Sequence, residues 1–250
     1  MSPELITSRK NPLILRLRAL AGDGAFRRAE GEYLCDGAKL LKEALEKAAQ
    51  MRCVLWKGAA EDCVLPETVR QYVAPPELFD YVSPMKNSPG PLFTLQMPPE
   101  GETHFRRAIL LENVQDPGNV GTVIRTAAAM GVETVLLCGA CADVYSPKVA
   151  RATMGAIFRE NILHCTVEKA RALADQNGLS LYGAALSRRA ADLRTLRLQN
   201  AVVAIGSEGQ GLSSALLEKC DGELIIPMTA GSESLNAAIA AAIILWEMAR

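Results

Sequence analysis

From residue 104 onward the sequence alternates short apolar runs with stretches of helical periodicity, and this alternation restricts the possible folds more than any other feature. The runs are Ala108–Leu111, Val135–Cys138, Leu179–Leu186, Ala201–Ile205 and Leu224–Ile226. Between them, Asn119 to Met130 reads as a helix ended by Gly131. Ser146-Pro147 reads as a helix start, with the serine as N-cap and the proline in the first turn. Ser234 to Met248 reads as an alanine-rich helix with an apolar stripe through Leu235, Ile239, Ile243 and Trp246. Strands and helices taken in turn predict an α/β domain built on a parallel sheet.

The first hundred residues have a different texture. Asn11 to Leu20 places leucines at 13, 15, 17 and 20 with arginines between them, which fits a helix. Gly37 to Ala48 is a second helix, and Cys53–Trp56 and Tyr72–Ala74 are candidate strands. Gly22-Asp23-Gly24 reads as a loop. The stretch from Ser83 to Pro98 carries four prolines and reads as a strand plus linker. The expected division is therefore a small N-terminal domain over residues 1–100 and a second domain over 104–250.

Length and composition agree with two packed domains: 250 residues, 49% apolar and 22% charged, leave little scope for disorder. A net charge of −1 does not advertise a nucleic-acid binder, so such contacts would have to come from local patches. Two patches exist. Residues 1–30 hold Arg9, Lys10, Arg16, Arg18, Arg27 and Arg28 against Glu4, Asp23 and Glu30, and a second cluster is Arg188, Arg189, Arg194 and Arg197. Each is either a solvated helix face or a phosphate contact. No apolar run is long enough to span a bilayer, and the polar stretch from Met1 to Asn11 lacks the apolar segment of a signal peptide, so a cytoplasmic protein is expected. Seven scattered cysteines do not form a disulfide framework. Cys138 and Cys141 form one CxxC without the second pair or nearby histidines of a zinc site, which leaves small buried residues at a strand end; no metal is expected.

Ligands of open α/β sheets sit beyond the carboxyl ends of the strands, and three polar segments occur there. In Leu111–Arg125, Arg125 sits among Val123, Ile124, Ala127 and Ala128 on an otherwise apolar helix, so it requires either a carboxylate of the fold or a bound phosphate. Gly206-Ser207-Glu208-Gly209-Gln210-Gly211 follows a strand. Its three glycines allow a tight turn or close backbone approach, and it lacks both the dinucleotide fingerprint and a Walker lysine. In Ile226–Asn236, a strand ends at Pro227 and a helix follows, with Ser234 or Asn236 free to cap it or to face a ligand.

Together these segments resemble the motifs of the SpoU (TrmH) branch of the SPOUT methyltransferases. The first motif matches Asp116-Pro117-Gly118-Asn119 through Arg125, the second Gly206 to Gly211, and the third Ile226-Pro227-Met228 with Ser234-Leu235-Asn236. Ser146-Pro147-Lys148-Val149 to Gly155-Ala156 is similar to the family's middle region. The likeness spans roughly residues 105–250. Ser8-Arg9-Lys10-Asn11-Pro12 and Gly37 to Glu46 resemble the substrate-binding domain often joined to it, which is like ribosomal protein L30e; Phe93-Thr94-Leu95 departs from that domain's small-residue pattern.

The resemblance implies a SPOUT fold with a C-terminal trefoil knot, involving the loops near Gly206–Gly211 and Met228–Asn236. It implies S-adenosylmethionine as cofactor, RNA as substrate, ribosomal RNA first and transfer RNA as the alternative, and a homodimer. Ala184, Gly206, Ile226, Met228, Leu235 and Asn236 would hold the cofactor. Arg125, Asn119, Glu208, Ser234 and Asn236 would form the catalytic site. A guanidinium stays protonated in proteins, so Arg125 is expected to clamp a phosphate and orient the ribose hydroxyl rather than act as the base. The competing readings are an RNA-binding protein that kept the fold without catalysis, and a nicotinamide enzyme, which the missing fingerprint disfavours.

Overall fold

The computed structural model describes residues 3–99, 101–229 and 234–250. It divides into two units: Met1–Pro99 with Asp143–Phe158, and Glu100–Ala142 with Arg159–Arg250.

The first unit runs β1 (Glu4–Leu5), α1 (Pro12–Gly22), α2 (Gly24–Glu30), β2 (Glu32–Asp36), α3 (Ala38–Glu46), β3 (Met51–Lys57), β4 (Arg70–Ala74), α4 (Pro76–Val82) and β5 (Leu92–Gln96). Its sheet has the order β1-β4-β3-β5-β2, with β5 antiparallel to both neighbours. Helix α1 starts at Asn11, whose side chain accepts from the Leu13 N–H at 2.8 Å, and Pro12 fills the first turn. The expected loop at 22–24 shrinks to one residue. Asp23 ends α1 and caps α2, accepting from the N–H groups of Ala25 and Phe26. Ile14, Leu17 and Leu20 pack with Leu55, Phe79 and Leu92 in the core.

Strand β2 has an acid at each end of a three-residue apolar run, yet all five of its residues are buried. Its acids are satisfied across the fold: Glu32 by Arg16, and Asp36 by the hydroxyls of Ser83 and Ser88. Arg16 also pairs with Glu30. Arg27 is buried, donating to the Leu20 carbonyl and to Asp143 at 2.6 Å each. Two of the six basic residues near the N-terminus are therefore structural.

The second unit begins with β6 (Ala108–Glu112), α5 (Pro117–Met130) and β7 (Thr134–Cys138). The chain then passes through α6 (Pro147–Ala152), which groups with the first unit and is capped by Ser146 as expected. It returns with β8 (Asn161–Cys165), α7 (Val167–Gln176), β9 (Ser180–Ala184), β10 (Ala191–Asp192), β11 (Ala201–Ile205), α8 (Ser214–Leu217), β12 (Gly222–Ile225) and α9 (Ala237–Ala249). The seven strands take the order β10-β12-β9-β11-β6-β7-β8, and every pairing is parallel. Every residue of β6, β7 and β11 is buried, as strands covered on both faces should be. Ala108, Leu110, Leu136, Val202 and Ala204 pack against Ala170, Leu173 and Ala174 of α7, while α5 and α9 pack on one another.

Three expectations change. Strand β8 and helix α7 carry weak patterns and are not anticipated; β8 is an edge strand whose residues are mostly half-exposed. Helix α9 starts at Ala237, with Asn236 rather than Ser234 as its N-cap. The expected apolar stripe is not the buried face: Ile239, Ile243 and Trp246 are 53%, 36% and 61% exposed, whereas Ala238, Ala241, Ile244, Leu245 and Met248 are buried. A helix this apolar all round leaves the choice of buried face to its neighbours. Among the described residues, no helix is long and apolar enough to cross a membrane.

Candidate active site

Strands β6, β7 and β8 step toward one edge of the sheet, and β11, β9 and β12 lie on the other side of β6. The direction of strand addition reverses between β6 and β11, and ligands bind beyond strand ends at such points. On the β11 side of that point a cavity of about 510 Å³ opens beyond the ends of β9, β11 and β12, at Ala184, Ile205 and Ile225.

One wall is the glycine turn after β11. The Gly211 N–H donates to the Ser207 carbonyl at 2.8 Å, and Gly211 has φ +68°. A Cβ on Gly206 would fall 2.0 Å from the Gly211 carbonyl carbon and 2.4 Å from the Leu212 nitrogen. Only glycine lets the turn close on itself, and the turn presents Glu208 outward.

Glu208 meets two amides from distant segments. Asn119 Nδ2 donates to its Oε1 at 2.5 Å, and Asn236 Nδ2 donates to the same oxygen at 2.8 Å. Asn236 Nδ2 also reaches Asn119 Oδ1 at 3.1 Å. Local folding dictates each placement. Asp116 caps α5 by accepting from the Asn119 N–H at 2.8 Å, with Pro117 in the first turn. Asn236 caps α9 through its Oδ1, which accepts from the Ala238 and Ile239 N–H groups. The acceptor end of that amide is thus committed to the helix, and its donor end faces the carboxylate.

Ala184, Gly206, Ile226, Met228 and Leu235 line the cavity, together with Glu208 and Ser234. Asn119 and Asn236 do not line it but meet Glu208, which does. Arg125, further along α5, is exposed, and among the described residues it makes no hydrogen bond or ion pair. Among the described residues, no carboxylate of the fold pairs with it. The third segment is interrupted at 230–233, which lie outside the described residues.

Glu112 was not singled out from the sequence. It ends β6, is 3% exposed, and accepts from both the Ser213 N–H (2.7 Å) and the Ser213 hydroxyl (2.6 Å). Ser213 lies two residues past the glycine turn and caps α8. The available signal was an acid closing an otherwise apolar strand.

An apolar-walled cavity of this size, with convergent backbone and polar groups at its rim, fits a nucleoside-sized ligand. The cysteines serve no such purpose. Cys141 donates to the Leu111 carbonyl at 3.2 Å, and burial pushes the Cys138 and Cys141 thiols above their ordinary range. Among the described residues, no group of three or more His, Cys, Asp or Glu side chains is arranged to hold a metal.

Residues 106–246 match the model of the SpoU rRNA Methylase family. The 23S rRNA (guanosine(2553)-2'-O)-methyltransferase RlmP of Bacillus subtilis is 31% identical, over 86% of this chain and 88% of its own. The 23S rRNA (uridine(2479)-2'-O)-methyltransferase of Streptomyces viridochromogenes is 30% identical, over 98% and 91%. The structure of the SpoU methyltransferase AviRb from Streptomyces viridochromogenes, in complex with AdoMet, superimposes with a TM-score of 0.84 at 26% identity, covering 96% of this chain and 98% of that one.

Proposed function

Because this chain belongs to the SpoU rRNA methylase family, we propose that the cavity beyond β9, β11 and β12 is the site of its reaction and that its substrate is ribosomal RNA. The chain is an S-adenosylmethionine-dependent RNA 2'-O-methyltransferase. The observation that carries the site is the meeting of Asn119, Glu208 and Asn236, from three separate segments, at the rim of the cavity.

Gly206, Ile226, Met228, Leu235 and Ala184 hold the adenosyl part of the cofactor, with Asn236 fixing the end of the loop above it. When bound, the cofactor supplies a methyl group on a sulfonium, which needs in-line approach of the ribose oxygen. Positioning therefore dominates catalysis. Arg125 has no counter-ion among the described residues, and it clamps an RNA phosphate and so orients the neighbouring 2'-hydroxyl. Asn119 and Glu208 hold the rim rigid, and Ser234 lines the cavity just ahead of α9. The requirement for a 2'-hydroxyl selects RNA over DNA. The trefoil knot and the L30e-like role of the first unit are part of the same reading. So is action in the cytoplasm as a homodimer, for which the exposed apolar face of α9 at Ile239, Ile243 and Trp246 is the contact.

Mapping 2'-O-methylation in RNA from cells with and without the gene tests the function. The expected result is loss of one methyl in large-subunit ribosomal RNA. Loss confined to transfer RNA overturns the substrate, and no loss together with no calorimetric binding of S-adenosylmethionine overturns the enzyme.

A further inference from the structure

The structure assigns an RNA phosphate site to the first unit, built from Arg9 and Arg18 on the ring of Tyr81; this inference rests on the proposed RNA substrate. Both guanidiniums lie over one ring, Arg9 Cζ at 4.4 Å and Arg18 Cζ at 4.0 Å from its centroid. Arg9 lies just before α1, Arg18 is within α1, and Tyr81 is in α4. Both arginines are exposed, and among the described residues neither has an ion pair.

The physical meaning lies in what an aromatic ring does to a cation. It attracts and orients the charge through its quadrupole but does not neutralise it. Two like charges held by one ring lie within about a Debye length, ~10 Å at 0.1 M salt, and repel one another. A merely structural arginine is treated differently in this same unit. Arg16 is neutralised by Glu30 and Glu32, and Arg27 by Asp143. Arg9 and Arg18 are instead immobilised with their charges intact, so part of the ordering cost of a bidentate phosphate contact is met before binding. The ligand chemistry that relieves the repulsion and matches two planar forks is a pair of backbone phosphates. In a chain of net charge −1, fixed unpaired arginines are a more specific device than a general basic field. Of the six basic residues in the stretch 1–30, Arg16 and Arg27 thereby form a structural pair and Arg9 and Arg18 a ligand-facing pair.

The test uses the full chain, ribosomal RNA as the probe, and filter binding over a salt series. The wild type, Arg9→Ala with Arg18→Ala, and Tyr81→Phe are compared, with calorimetric S-adenosylmethionine binding and thermal melting alongside. In the double variant, the slope of log affinity against log salt is expected to fall by about one for each arginine removed. RNA affinity should drop by tenfold or more, while cofactor affinity stays within twofold. Tyr81→Phe keeps the ring and should bind RNA as the wild type does. An unchanged slope and affinity in the double variant, with normal wild-type methyl transfer, overturns this site and leaves the proposed function standing. Absence of RNA binding by the wild type overturns both. If the double variant melts early, replacing both arginines with lysine keeps the charge but not the fork; wild-type RNA affinity in that protein overturns the bidentate geometry.

Discussion

Arg125 and Glu160 are two charged residues whose surroundings make opposite demands. Arg125 is exposed and has no partner among the described residues, so Arg125→Ala should leave stability within about 0.5 kcal/mol. If the side chain orients the ribose, methyl transfer should nevertheless fall by about 10²-fold or more, with cofactor affinity unchanged. Single-turnover transfer together with calorimetry decides this, and full activity in the variant would remove Arg125 from the site. Among the described residues the buried Oε1 of Glu160 has no hydrogen-bond partner, and burial pushes the carboxyl up to about 7, only partly offset by Arg159. A carboxyl whose folded pKa is raised binds its proton more tightly in the native state, so its contribution is present at low pH and is lost as pH rises toward 7. Glu160→Gln should therefore raise the melting temperature relative to the wild type at pH 8 and leave it nearly unchanged at pH 4. An equal shift at both pH values would rule out the titration as the cause.

At the scale of elements, the glycine turn between β11 and α8 and its anchor to β6 set the shape of the cavity. Gly206→Ala places a methyl against the turn's own backbone at 2.0–2.4 Å. Overpacking of this kind costs about 1–3 kcal/mol, and because the turn is a wall of the cavity, S-adenosylmethionine binding should weaken with it. Calorimetry and denaturant unfolding measure the two effects. Glu112→Ala leaves the Ser213 N–H and hydroxyl without their shared acceptor, at a cost of about 1–3 kcal/mol. Loss of stability without loss of cofactor affinity would show that the anchor supports the strand and not the site.

For the whole molecule, the proposed homodimer rests on the outer face of α9. Its core side is closed by Ala241, Ile244 and Leu245, while Ile239, Ile243 and Trp246 face outward. Ile239→Asp with Trp246→Asp should leave the unfolding free energy per chain nearly unchanged if the chain is a monomer. If the face joins two copies, sedimentation should change from dimer to monomer. A dimer that survives both charges would place the contact elsewhere.

What could be read from residues alone follows from the range of the forces. The parallel sheet was legible because β6, β7 and β11 are buried on both faces and so are apolar but for Glu112 and Thr134 at strand ends. The helix start at Ser146 was legible because capping is settled within four residues. The three polar segments stood out because glycine turns and caps are local devices, and their joint order carried the family likeness. Strand β2 was illegible because its acids are satisfied by Arg16, Ser83 and Ser88 from other elements. The buried face of α9 depends on its neighbours, and its cap fell on Asn236 instead of Ser234. Nothing local separates Arg16 and Arg27, which are consumed by the fold, from Arg9 and Arg18, which stay charged on Tyr81. The sequence alone determined the periodicities, the caps and the residues able to do the chemistry. Tertiary structure decided which of them meet, because the hydrogen bonds that join Asn119, Glu208 and Asn236 cross 89 and 28 residues of chain and exist only once the sheet has brought its strand ends together.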